Sequence, residues 1–198
     1  MDCFLLKRGY NTDSLIKDYL IAENNHEFIN PEVINEKSFS LSKESHGWEA
    51  IPLHTVDGIS GNKGTIPTEV ENKIFKPNEI LLKCKYFQKI LDDLDTEIYL
   101  VRLMKLKAGG YVAPHTDKLL NDNVIRCHLP IITNSDVHFY IGNENKVDHN
   151  LEAGNLYYVN AKNAEHYVEN KSKFDRVNLV IDLKPNNLIK KYYNYSVI

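Results

Sequence analysis

Cysteine is scarce in this chain of 198 residues, and the three present, Cys3, Cys84 and Cys127, form no Cys-x-x-Cys pair. An odd count without paired spacing argues against a disulfide framework or a zinc finger. Basic runs are missing as well: 24 Lys and Arg are scattered against 27 Asp and Glu, for a net charge of −3, so nucleic acid is not an expected partner. No apolar stretch approaches the roughly 20 residues of a membrane-spanning helix. The start, "MDCFLLKRGYNTD", has an acidic second residue and only a short apolar run, the wrong make-up for a signal peptide. The expectation is a soluble, cytoplasmic protein with no membrane partner.

What is present is a change of texture along the chain. Up to about residue 60 the pattern is mixed, with a helix-like patch "DSLIKDYLIAE" and a strand-like "GWEAIPLH". The run "SGNKGTIPTEVENKIFKPNE" is punctuated by Gly, Pro and Asn and reads as loop. After Pro77, Ile80, Leu81, Cys84, Phe87, Ile90, Leu91 and Leu94 recur at helical spacing and predict one amphipathic helix. From there the chain turns to short apolar or alternating runs, "EIYLVRLMKL", "NVIRCHLPII", "VHFYI", "NLYYV" and "RVNLVIDL", separated by turns such as "KAGG" and "EAGN". Many short strands at near-even spacing predict a mainly β domain, a jelly roll or barrel. We expect one domain over 1–198: about 1–95 as N-terminal helical and strand decoration, about 96–183 as the barrel, and 184–198 as a polar, Tyr-rich tail packed outside it.

Within "YVAPHTDKLL", His115 and Asp117 are two positions apart, and on a strand such residues share a face. Spacing of this kind arises readily by chance, so a third ligand is needed. His166 supplies it, standing after "NLYYV" and before the last apolar strand. Two imidazoles and one carboxylate with open positions form the facial set of non-haem Fe(II) oxygenases. Ten positions on, Arg176 opens that last strand. A guanidinium buried in a barrel needs a carboxylate, which could be the distal carboxylate of 2-oxoglutarate or the protein's own Asp182, on the same strand face. In "VIRCHLPII", Arg126 and His128 share one face while Ile125, Cys127, Leu129 and Ile131 share the other. If that polar face lines a cavity, its extra positive charge suggests a carboxylate on the substrate or on the cosubstrate.

Together, "VRLMKLKAGGYVAPHTD", "RCHLPIITNSDVHFYIG" and "EAGNLYYVNAKNAEHYVENKSKFDRVNLVID" resemble, in order, spacing and flanks, the aspartyl/asparaginyl β-hydroxylase family of Fe(II)- and 2-oxoglutarate-dependent dioxygenases, including its members that hydroxylate free proline. The resemblance runs from about "GWEAIPLHTVDG" to "RVNLVIDL". It implies a double-stranded β-helix of cupin-like type with the N-terminal helices packed outside. It also implies iron bound by His115, Asp117 and His166, Arg176 on the 5-carboxylate of 2-oxoglutarate, and Arg126 and His128 lining the pocket. The reaction implied consumes O₂ and 2-oxoglutarate, releases CO₂ and succinate, and hydroxylates an unactivated carbon of an amino acid or of an aspartyl- or asparaginyl-like residue in a peptide. The competing reading is a non-catalytic cupin-like module holding a metal or small acid, which would have no need of Arg176. Trp48 is read as core, rim or pocket, Tyr111, Asn160 and Asn178 as pocket neighbours, and Cys127 as a small core residue facing away from Arg126.

Overall fold

The computed structural model describes residues 2–30, 44–61, 70–118, 120 and 122–186. The proposed tail beyond residue 186 and much of the loop read at 60–79 lie outside the described residues. Among the described residues, ten strands and two α-helices follow in order: β1 Cys3–Lys7, α1 Thr12–Asn25, β2 His46–Val56, β3 Phe75–Pro77, α2 Lys85–Asp92, β4 Ile98–His115, β5 Ile125–Ile132, β6 Val137–Ile141, β7 Val147–His149, β8 Leu156–Val159, β9 His166–Asn170 and β10 Arg176–Leu183. All strand pairings are antiparallel, and the main path runs β1-β8-β5-β10-β4-β9-β6-β7, with β2 also on β4 and β3 on β2. This is the expected mainly β jelly roll. No helix among the described residues is long and apolar enough to cross a membrane.

The alternation along the central strands produces two cores. On one face Val101, Leu103, Cys127, Leu129, Ile131, Val177, Leu179 and Ile181 pack with Leu15, Phe87 and Ile90 of the two helices. The other face looks into the roll, where Trp48, Leu106, Phe139 and Val168 belong to a second cluster. Both faces of these strands are thus covered, as their buried patterns require.

Two local readings are revised, and one strand is added. The run after Pro77 is not one helix but a 3-10 turn, Leu81–Lys83, followed by α2, with Cys84 out of helical conformation between them. Each piece has its own cap. Asn78 Oδ1 accepts from the Ile80 and Leu81 amides, and the buried Asp18 carboxylate, reaching across from α1, accepts from those of Tyr86 (2.7 Å) and Phe87 (2.8 Å). Such caps satisfy donors that a helix start leaves open. Secondly, "KAGG" does not end a strand: β4 runs through it for 18 residues. Gly109 takes φ +71°, and a Cβ at Gly110 would meet Leu106 Cδ1 at 2.7 Å, so glycine lets the strand bend from pairing with β10 to pairing with β9. The added strand is β9, "HYVEN", which begins at His166 between the runs read as strands.

Candidate active site

His115 is the last residue of β4 and pairs with His166, the first residue of β9. Asp117 lies just past the end of β4, so it is not placed by strand alternation. Instead its amide donates to Ala161 O (2.8 Å), which turns the carboxylate back between the imidazoles. Each histidine uses Nδ1 toward the carbonyl two residues before it, His115 to Ala113 O at 2.8 Å and His166 to Ala164 O at 3.2 Å. A carbonyl only accepts, so Nδ1 carries the proton and Nε2 presents its lone pair. The two Nε2 atoms lie 3.9 and 3.7 Å from the Asp117 oxygens, and one ligand atom from each of the three residues falls within 4.8 Å of the others. That donor set and that spacing fit a divalent ion with positions left open.

Electrostatics favour the ligating forms. Burial pushes the Asp117 carboxyl up, but Arg126, His166 and His115 more than offset it and hold its pKa at about 2. Burial, reinforced by His115 and opposed by Asp117, brings the His166 imidazole down to about 4, so it is neutral at pH 7.

Arg126 is fully engaged by protein acids. Its Nε and Nη2 donate to the two Asp182 oxygens, each at 2.7 Å, and Nη1 donates to Asp117 Oδ2. The strand register explains this, because Asp182 on β10 is directly opposite Arg126 on β5. Two consequences follow. Asp182 is the partner of Arg126, not of Arg176, and the positive charge of Arg126 needs no acidic substrate to offset it. Burial opposes the charged form of Arg126, but Asp117 and Asp182 outweigh burial and keep it protonated. Arg126 thereby fixes the orientation of the carboxylate in the His-Asp-His cluster.

Arg176 has no such partner. It is buried, its Nη2 has no hydrogen-bond acceptor, and no carboxylate among the described residues pairs with it. Burial alone brings its pKa to about 10, which leaves it charged at neutral pH. A buried guanidinium in this state fits an anionic ligand with a carboxylate at that end of the cavity.

The cavity joins these groups. His115, Asp117, His166, Arg126, His128 and Arg176 all line it. Trp48, whose position the sequence leaves undecided, is buried in its wall. Arg102 on β4 also lines it and escaped the sequence reading. The signal was present: Arg102, Met104 and Leu106 alternate with Val101, Leu103 and Lys105, but alternation does not say which face is the cavity. Burial and Arg126 lower the Arg102 pKa to about 10, while Asp182 and Asp117 act against this. His128 is 3.2 Å from Asn178 and packs on Phe139. Tyr111 and Asn160 do not join the cavity wall: Tyr111 stands against Tyr167, and Asn160 Nδ2 donates to Asp2 Oδ1. Cys127 is buried on the helix-facing side.

No curated protein matches the chain by sequence. Among solved structures it is similar to a Pseudomonas putida prolyl-4-hydroxylase, with TM-score 0.57 and 10% identity over 93% of each chain. It is also similar to a Trichoplax adhaerens prolyl hydroxylase in complex with a hypoxia inducible factor peptide fragment, with TM-score 0.60 and 11% identity over 96% of this chain and 85% of that one. A 2OG-Fe(II) oxygenase family oxidoreductase from Burkholderia pseudomallei gives TM-score 0.50 and 10% identity over 72% and 70%. At these identities the likeness carries the fold. The sequence pattern of the Aspartyl/Asparaginyl beta-hydroxylase family matches residues 15–185, beyond both ends of the resemblance drawn from the motifs. By that match, and with a His-Asp-His cluster inside a jelly roll, the chain belongs to the aspartyl/asparaginyl β-hydroxylase family and is an oxygenase of the Fe(II)- and 2-oxoglutarate-dependent type.

Proposed function

We propose that the chain hydroxylates an unactivated carbon of an amino acid, or of an aspartyl- or asparaginyl-like residue in a peptide, with iron held by His115, Asp117 and His166 and 2-oxoglutarate held by Arg176. The observation that carries this reading is the buried Arg176, with no acid partner among the described residues, in the same cavity as the three convergent side chains. A simple metal-binding module has no use for it.

When bound, Fe(II) and 2-oxoglutarate supply the oxidative chemistry that activates O₂ and yields succinate and CO₂. The chain's own residues do the rest. His115 and His166 present Nε2 lone pairs fixed by their Nδ1–H bonds to backbone carbonyls. Arg126, anchored on Asp182, steadies Asp117. The planar fork of Arg176 sets the direction of the cosubstrate's distal carboxylate. Trp48, Phe139 and Val168 provide apolar walls that limit water.

The test combines binding with product. Purified protein should bind one Fe(II) per chain and form succinate from 2-oxoglutarate and O₂, and His115→Ala and His166→Ala should each lose both properties. Full activity in His166→Ala would remove His166 from the ligand set. Iron binding without succinate formation under any substrate would favour the binding-module reading. A mass-spectrometric screen of amino acids and peptides for a product heavier by one oxygen atom identifies the substrate.

A further inference from the structure

Asn178 lies on the inner face of β10 between Arg176 and Val180 and is fully buried. Its Nδ2 is 3.2 Å from Nδ1 of His128, which stands on β5 opposite Val180. The Asn178 Oδ1 has no hydrogen-bond partner among the described residues. His128 lines the cavity with Arg176 and His166, and its ring packs 5.5 Å from that of Phe139.

We infer that Asn178 is a positioning residue: by donating to Nδ1 it fixes His128 as the neutral tautomer with its proton on Nε2, the nitrogen left to serve a ligand in the cavity. Two independent arguments support this orientation of the amide. Reversing it would give Oδ1 a partner but would take the two-donor NH₂ group away from its acceptor, His128 Nδ1. Buried N–H groups without acceptors are rarer in folded proteins than under-used carbonyl oxygens. The second argument is electrostatic. Burial and the charges of Arg176 and Arg126 keep His128 neutral, so it can donate into the cavity only if the right nitrogen carries its single proton. An anionic cosubstrate needs donors, and a neutral Nε2–H provides one without adding a charge to a cavity that already contains Arg102, Arg126 and Arg176.

The inference about the tautomer stands apart from the proposed function; only the part concerning 2-oxoglutarate rests on it. The experiment therefore has two arms. In the first, ¹⁵N-histidine-labelled protein is studied by long-range ¹H–¹⁵N correlation, with His128 assigned by comparison with His128→Gln. Wild type should carry the proton on Nε2, and Asn178→Leu should convert His128 to a mixture of tautomers, while Asn178→Gln, which keeps an amide donor, should restore the single form in part. A proton on Nδ1 in wild type, or an unchanged single Nε2–H form in Asn178→Leu, would overturn the inference. The wild-type spectrum decides even if the Leu variant does not fold.

In the second arm, 2-oxoglutarate binding is titrated with Zn(II), which cannot support redox turnover. Trp48 is the only tryptophan and lies in the cavity wall, so its fluorescence reports occupancy. Asn178→Leu should weaken binding by about tenfold, on the order of one hydrogen bond. If wild type itself gives no binding, the cosubstrate reading fails, while the tautomer result still stands on its own.

Discussion

Replacing Arg176 with methionine should make the ligand-free protein more stable and at the same time abolish its response to 2-oxoglutarate. Arg176 is 6% exposed and has no acid beside it among the described residues, so its charge is desolvated in the fold and hydrated in the unfolded chain. Burial brings its pKa from the ordinary guanidinium value down to about 10. At about 1.36 kcal/mol per pKa unit, that difference corresponds to roughly 3 kcal/mol of destabilisation at neutral pH, an upper figure because the unfolded chain is itself partly compact. Methionine retains much of the stem and removes the charge. A gain of about 1–3 kcal/mol in urea unfolding is therefore expected. In wild type, Zn(II)-loaded protein at a 2-oxoglutarate concentration one hundred times Kd should gain about 2.7 kcal/mol from ligand linkage, and the variant should gain almost none. A loss of stability in ligand-free Arg176→Met would show that the guanidinium has a structural partner and would refute the reasoning.

Asp182→Asn should leave Arg126 with a weaker anchor and Asp117 less firmly oriented, lowering metal affinity by about 10- to 100-fold in a Co(II) titration. His128 has its pKa pushed well below the ordinary value of 6.5, first by burial and then by Arg176 and Arg126. The unfolded chain therefore takes up a proton that the native state refuses once the pH falls below about 6.5, and stability should decline with acidification. Between pH 6 and 5, His128→Gln should make the stability–pH slope shallower by up to about 1.4 kcal/mol per pH unit, measured by urea unfolding. Asp18→Ala should cost about 1–3 kcal/mol in the same assay, since two amides at the start of α2 lose their acceptor, with little change in succinate formation by the folded fraction.

Much of this architecture is legible in the residue pattern. The alternation in "VIRCHLPII" correctly separates a polar cavity face from the apolar face that the helices cover, and the short runs predict the jelly roll. His115 and His166, some fifty residues apart, are brought together by one antiparallel pairing, β4 with β9, and Asp117 joins them through its amide bond to Ala161. What the pattern does not contain is register between strands. Arg126 and Asp182 are partners because β5 and β10 place them opposite each other, whereas within β10 alone Asp182 looks equally available to Arg176. Glycine is ambiguous for a similar reason: "KAGG" has the composition of a turn, but Gly109 and Gly110 serve a bend whose need arises only from the change of partner from β10 to β9. Likewise Cys84 keeps the helical spacing while Asp18, distant in sequence, restarts the helix after it.

The place of β10 has a consequence for how the protein comes to exist. This strand follows both of its neighbours in sequence, yet it sits between them, bonded to β4 on one side and β5 on the other. As the chain emerges from the ribosome, β4 and β5 must wait with facing edges open until residues 176–183 arrive, and contacts of such long sequence separation close slowly. The final insertion brings Arg176 and Asp182 to their positions in the same event that completes the sheet. A product truncated before residue 176 would thus be neither a weakened enzyme nor a metal-binding fragment but a chain with two unpaired edges, exposed to self-association.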